Sequence, residues 1–462
     1  MKALAEFFLY FSLVILSCLT AGCTSEVDII GGTPETSENP QANDPNRRSV
    51  VISLQNKLIL VNGTPESRTI TRDGIAEEDE NRIESFDIYA FGSDKEEGPY
   101  TFQERFAYRS DAGTLPTGAS PIDLKADEAA GKINVVFYPR KGLFTKFYCV
   151  ANQTEMNDAA GNIYTNYTPL QQSSQPQSSV PGDMVTSPGT PTESDFVKLN
   201  TPLLNSTGFN ADILLAPLPM SGANSQPTDL REYSMGTYVR LNVSLTRAVA
   251  RFDIVNDATK SHFTITDISM GNGRQGVTLF PIRPTGDVPA TNGQLITYPY
   301  RLFDGLNANA GTTTKAFYCY PCKAIDAGFL ILKGLYAMNL TDEKKEVSYR
   351  IPFERVTDGN GTRIEINHNH RYTVQITEAD PFELTANIRL VDWETGDYID
   401  DYEPDNGLET IAVADLLPVG ETTYDISTNI VTLALKAGSS FTISTGSNAG
   451  VNAQLTYNCL LY

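Results

Sequence analysis

Long apolar runs are almost absent from this 462-residue chain. One alone stands out, Phe7-Phe-Leu-Tyr-Phe-Ser-Leu-Val-Ile-Leu16, which follows Lys2 and is too short to span a bilayer, so residues 1–22 read as a secretory signal. No later segment is apolar for long enough to cross a membrane, so membrane attachment has to be by lipid. Basic charge is scarce too, with 35 Lys and Arg against 56 Asp and Glu and a formal net charge of −21. No basic stripe exists to displace phosphate counterions, which excludes nucleic acid as a partner. Sustained helical periodicity is missing, which excludes a helical bundle.

The residues that carry most chemistry are equally sparse. Of six cysteines, Cys18 lies in the signal, leaving Cys23, Cys149, Cys319, Cys322 and Cys459, too few for a disulfide scaffold. Cys319-Tyr-Pro-Cys322 has redox or zinc spacing, but a second ligand pair and a βαβ setting are both absent. It reads as a strand end with two half-buried thiols, or as a local bridge. The three histidines, His262, His368 and His370, supply no metal triad and no obvious general base. Gly271-Asn-Gly-Arg-Gln-Gly276 has dinucleotide-fingerprint spacing, yet Val277-Thr-Leu-Phe280 continues it as a strand, so a hairpin turn is expected. Asp401, Glu403 and Asp405 lack the glycine of a calcium loop, since Asn406 stands there. Glu77-Glu-Asp-Glu80 reads as a solvated acidic loop. The chain is expected to be no enzyme and to hold no cofactor and no metal. The single tryptophan, Trp393, is thin material for a sugar-stacking platform.

What the chain has in abundance is alternation with period two. Phe86 to Phe91, Ile133 to Tyr138, Leu143 to Ala151, Phe263 to Ile268, Tyr372 to Ile376 and Leu384 to Leu390 alternate between Gly, Asn, Asp and Pro breaks. The fold class is all-β, built of sandwiches. A polar stretch without a core, 23–48, reads as a flexible tether. A first block covers 49–226 and includes a Gln/Ser/Pro/Thr insertion after Asn152. A second covers 227–402, and a short β-rich tail covers 403–462. Near Thr246 to Ala248 the alternation changes phase, which predicts a bend or bulge.

Two stretches stand apart. In Ser49 to Val61, residues Val50, Ile52, Leu54, Leu58 and Leu60 share one parity, so an extended strand puts them on one face. The loop Gly63 to Gly74 follows, rich in turn formers and offering Arg68 and Arg72 to a trypsin-like protease. At the other end, Leu455, Tyr457, Cys459 and Leu461 alternate within 453–462, a strand free to pair locally or to reach another molecule. Read alone, 49–61 is equally well an ordinary permanent strand.

Leu19-Thr-Ala-Gly-Cys23 resembles the lipobox of bacterial lipoproteins, with Thr20 where leucine is usual. The order of lipobox, first strand, arginine loop, Ile83-Glu-Ser-Phe-Asp-Ile-Tyr-Ala-Phe91, Val150-Ala-Asn152, Leu218-Pro-Met-Ser-Gly222 and Thr246-Arg-Ala-Val-Ala-Arg-Phe-Asp-Ile254 resembles the fimbrillins, lipoprotein-precursor subunits of type V pili. The resemblance implies two transthyretin-like β-sandwich domains in tandem, with acylation at Cys23. It implies an outer-membrane precursor cut by an Arg-specific surface protease at Arg68 or Arg72, and other fimbrial subunits as partners. The strand 49–61 is then removed and a neighbour's strand fills its groove, with 453–462 as the candidate donor. The tail after 403 matches no stalk subunit and points to an accessory or tip position. The competing expectation is a glycan-binding outer-membrane lipoprotein that keeps its lipid and its first strand.

Overall fold

The computed structural model describes residues 39–54, 59–60, 77–111, 114–127, 132–158, 162–165, 192–205, 211–231, 238–280, 295–305, 307–339, 342–355, 362–381, 383–393, 398–402 and 404, with short strand pieces between 417 and 442. Across them the chain is an all-β protein. Its first half runs through β1 (Ser49–Leu54), β2 (Ile59–Leu60), β3 (Arg82–Ile83), β4 (Ser85–Ser93), β5 (Thr101–Arg109), β6 (Ala119–Pro121) and β7 (Asp123–Asp127). It continues with β8 (Lys132–Phe137), β9 (Phe144–Ala151), β10 (Met156–Asn157), β11 (Ile163–Tyr164), β12 (Met220–Asp229), β13 (Tyr238–Val243) and β14 (Thr246–Arg247).

Two large sheets form from these, in the orders β13-β1-β8-β7 and β14-β12-β9-β4-β5-β6, beside the two-stranded pieces β2-β3 and β10-β11. Alternation explains the first. In β8, Ile133, Val135 and Phe137 are buried and share a core with Val50, Ile52 and Leu54 of β1, while Lys132 and Asn134 are only half-buried. Phe86, Ile88, Phe106, Phe147 and Cys149 of the second sheet meet them, closing a sandwich. β4 is buried at every position because its other face is covered as well. There Tyr89 and Phe91 pack with Phe102, Tyr148 and Phe196, the last from a one-turn helix, Glu193–Phe196.

The second half has β15 (Ala250–Asp257), β16 (Phe263–Gly271), β17 (Arg301–Leu302), β18 (Ala310–Cys319), β19 (Phe329–Tyr336) and β20 (Lys345–Pro352). After these come β21 (Glu354–Arg355), β22 (Thr362–Arg363), β23 (His370–Ala379), β24 (Leu384–Asp392) and β25 (Tyr398–Tyr402). Sheets β18-β15-β23-β24-β25 and β17-β16-β19-β20 enclose a separate core that includes Phe252, Ile254, Leu330, Leu332, Tyr372 and Ile388. In the tail, Leu417–Val419 pairs with Ser440–Thr442, and Thr423–Asp425 with Ile430–Thr432.

Several expectations change. The boundary at 226/227 falls too early, because β13 pairs with β1 and β14 with β12. The phase change near Thr246 is not a bulge within one strand. There the chain leaves the first sandwich, and β15 begins another sheet at Ala250. The tether 23–48 is too long at its C-terminal end. Asn39 caps the turn Pro40–Asn43, Gln41 Nε2 donates to Ser120 Oγ at 2.7 Å, and Arg48 N donates to the Pro139 carbonyl at 2.8 Å. The Gly271–Gly276 stretch is no tight hairpin. Gly273 bridges to Ile296, and Thr278 bridges to Asn200 of the first half.

Candidate functional site

The site is the slot that β1 occupies. Its residues lie between an antiparallel neighbour, β8, and a parallel one, β13. The register sets Val50 between Phe137 and Val239, Ile52 between Val135 and Leu241, and Leu54 between Ile133 and Val243. Val50, Ile52 and Leu54 are fully buried, while Ser53 faces away and donates from Oγ to Asn134 Oδ1 at 2.7 Å. The expected single strand to Val61 is in fact two pieces, because β2 leaves this sheet and pairs in parallel with β3. Leu58 lies outside the described residues, and so do Cys23, Arg68, Arg72, Leu455, Tyr457, Cys459 and Leu461. Arg47, just before β1, is held by Glu104 at 3.1 Å and by the Tyr138 carbonyl at 2.6 Å.

The stretch beyond the arginine loop is not a solvated loop. Glu80 is fully buried, and its Oε2 accepts from Arg251 Nη1 at 2.7 Å while its Oε1 accepts from the Tyr318 hydroxyl at 2.6 Å. Arg251 also binds Asp253 at 2.7 Å and Glu77 at 3.5 Å. Lys315 Nζ reaches Glu77 at 2.8 Å and Asp79 at 2.9 Å, and Arg247 Nη2 donates to Asn81 Oδ1 at 2.6 Å. Trp393, buried, stacks on Tyr318 and lies beneath Arg247, so it offers no face to a sugar. The turn Asp79–Asn81 of the first half is thus clamped by side chains of β14, β15 and β18. Burial pushes the Glu80 carboxyl up against the opposing pull of Arg251. Burial also works against ionisation of Glu77, but hydrogen bonds from Lys315 and Thr314 bring it below its ordinary range.

A second seam joins the halves. Leu279 and Phe280 pack on the outer aromatic face of β4 and β9, with Phe280 edge-on to Tyr148 at 5.2 Å, and Ser221 Oγ donates to the Leu279 carbonyl. Neither seam was read from the sequence, because each joins residues far apart in the chain. One signal was available in part: Thr246-Arg-Ala-Val-Ala-Arg-Phe-Asp-Ile254 places two arginines and an aspartate on what reads as a core strand, where unpaired charge is too costly to sit.

Cys149, Cys319 and Cys322 are buried free thiols, fully rather than half-buried and unbridged. Burial pushes Cys322 up to about 12. His370 Nδ1 lies 2.7 Å from the His368 carbonyl oxygen, and among the described residues no group of three or more His, Cys, Asp or Glu side chains is placed to hold a metal.

No protein-family model matches the chain, and no curated protein does. Solved structures that it is similar to include the tip fimbrial protein Mfa3 from Porphyromonas gingivalis with a C-terminal truncation. The identity is 14% and the TM-score 0.41, over 75% of this chain and 100% of that one. A fimbrial assembly protein from Parabacteroides distasonis is 11% identical, with a TM-score of 0.40 over 77% of this chain and 98% of its own. The fimbrial anchor protein Mfa2 from Porphyromonas gingivalis is 9% identical, with a TM-score of 0.31 over 76% and 100% respectively.

Proposed function

We propose that this chain is a non-enzymatic structural and adhesive subunit of a bacterial surface fimbria, assembled by protease-triggered donor-strand exchange. In this reading it is exported as a lipoprotein acylated at Cys23 and held at the outer membrane. An Arg-specific surface protease cuts at Arg68 or Arg72, β1 leaves, and a strand of the next subunit enters. The observation that carries the reading is the placement of β1 as an interior strand, with its whole apolar parity in the core and both ladder edges engaged. Three fully buried side chains contribute on the order of 1.5–3 kcal/mol each, besides the ladder bonds, enough for a durable non-covalent joint. Within the terminal segment, Leu455, Tyr457, Cys459 and Leu461 repeat the alternation that such a slot accepts. The tail supports an accessory or tip position.

The clamp at Glu77–Asn81 fits this division of the chain. A cut at Arg68 or Arg72 leaves the clamp downstream, so the body keeps a fixed start while β1 loses its covalent link. The test is intact-mass and N-terminal analysis of the protein taken from its own cell surface. A mature chain starting at Thr69 or Asp73 is expected. One still starting at acylated Cys23 overturns strand removal and leaves a lipid-anchored surface protein.

A further inference from the structure

The two walls of the slot are matched to each other as well as to β1. Because β8 is antiparallel to β1 and β13 is parallel to it, β8 and β13 run antiparallel to one another. Both registers are fixed on the same β1 residues. With β1 gone, Phe137 stands opposite Val239, Val135 opposite Leu241 and Ile133 opposite Val243. All six point to the core parity, and Val239 and Leu241 already pack partly against that core. On the outer parity, Asn134 faces Asn242 across Ser53. A strand that slips by one residue would put its apolar set on the wrong side. Here no slip is needed.

The walls differ in how firmly they are held. β8 keeps β7 as a second neighbour, whereas β13, among the described residues, ladders with β1 alone and has Tyr238, Arg240 and Asn242 exposed. Its C-terminal end is fixed, because Ser244 and Val243 press on Gly222 of β12, and β14 pairs with β12 directly after. A strand fixed at one end, with an open ladder edge facing a complementary edge, has one nearby way to satisfy its backbone.

We infer that the emptied slot closes on itself: β13 moves in about its Val243–Leu245 end and pairs antiparallel with β8, occupying the space of β1 and barring a later strand. This rests on the strand-removal reading above. It makes the open slot short-lived, so that an incoming strand has to enter as β1 leaves. A subunit that loses β1 without a partner becomes inert to addition.

The strand spacing supplies the experiment. Across β1, Val136 and Arg240, which flank Val51 well away from the fixed end, lie roughly two strand spacings apart, about 9–10 Å, beyond the reach of a disulfide. Directly paired they approach to about 4.5–5.5 Å. The test protein carries Val136→Cys and Arg240→Cys with Cys459→Ser, starts after Cys23, and has a specific protease site replacing residues 65–68. After cutting, half the sample is oxidised directly. The other half first passes through denaturant that strips the β1 peptide, returns to buffer and is then oxidised.

The expected result is no cross-link before cutting and a mapped cross-link between positions 136 and 240 in the stripped body. A synthetic peptide of residues 47–62 present during the return should suppress that cross-link at least tenfold, and added after closure it should not bind. A stripped body that refolds without the cross-link, with β8 amides exchanging freely, overturns self-closure. A body that stays unfolded without β1 overturns it equally, since no closed state then exists. If the directly oxidised half still holds the β1 peptide while the stripped half cross-links, closure stands and spontaneous strand removal fails.

Discussion

Replacing Arg251 by Met tests whether the clamp is a genuine charge network. Arg251 and Glu80 are both essentially excluded from water. Without the guanidinium, Glu80 keeps the Tyr318 hydroxyl at 2.6 Å and the Glu77 amide at 2.7 Å, neither of which carries charge. Asp253 keeps the Lys315 amide at 2.9 Å and Arg371 at 3.7 Å. Breaking a buried pair while one charge remains costs about 3–5 kcal/mol. Glu80→Leu leaves Arg251 still on Asp253, so its cost is set by one charged hydrogen-bond partner, about 1.5–3 kcal/mol. The double variant should fall short of the sum by about 1–3 kcal/mol. Guanidinium unfolding read by the lone Trp393 is the assay, because that ring sits within the network. The pH dependence has a definite sign. A carboxyl raised above its ordinary 4.5 contributes stability that is present below that pH and lost as pH rises through the raised value. Removing Arg251 raises Glu80 further, so the deficit of Arg251→Met should be larger at about pH 8 than at about pH 5. A deficit under about 1 kcal/mol, strict additivity, or a deficit that shrinks as pH rises would refute the reasoning.

Three further outcomes are expected. Asn152, at φ 57°, accepts from Glu84 N at 2.9 Å and donates to the Arg82 and Leu218 carbonyls at 2.8 and 3.0 Å. Asn152→Ala should cost about 2–4 kcal/mol in thermal unfolding, from unpaired backbone groups plus left-handed strain. A Cβ at Gly222 would sit 2.3 Å from the Ser244 carbonyl oxygen, so Gly222→Ala should cost about 1–3 kcal/mol and raise hydrogen exchange across β13. Cys149, Cys319 and Cys322 should ignore a thiol reagent in the folded protein even at about pH 8, and label together only on unfolding, since burial holds all three thiols protonated.

β1 was readable because Val50, Ile52 and Leu54 keep one apolar parity to its last residue, although Val51 on the other parity is buried too. β4 hides its arrangement, since two covered faces erase the alternation from Ser85 to Ser93. The clamp was missed for a different reason. Four acidic residues in sequence look solvated until Arg251, 171 positions beyond Glu80, is placed beside them. The domain boundary was misplaced by the same kind of distance, because β13 reads as the opening strand of the second half and pairs with the opening strand of the first. Cys23, Arg68, Arg72 and the terminal strand were readable as chemistry and alternation, and lie outside the described residues.

The parallel pairing of β1 with β13 also sets an order in time. A chain that emerges N-terminus first presents β1 early, yet the strand that completes its slot begins only at Tyr238. Until then β1 has at best β8 beside it, and closing so long a loop for a parallel ladder is slow. β1 is therefore made among the first strands and seated among the last, spending the interval as an apolar ribbon with a bare edge. Whatever escorts the nascent protein has to shield that ribbon, and a shortage of the escort should appear as aggregation seeded by residues 49–54.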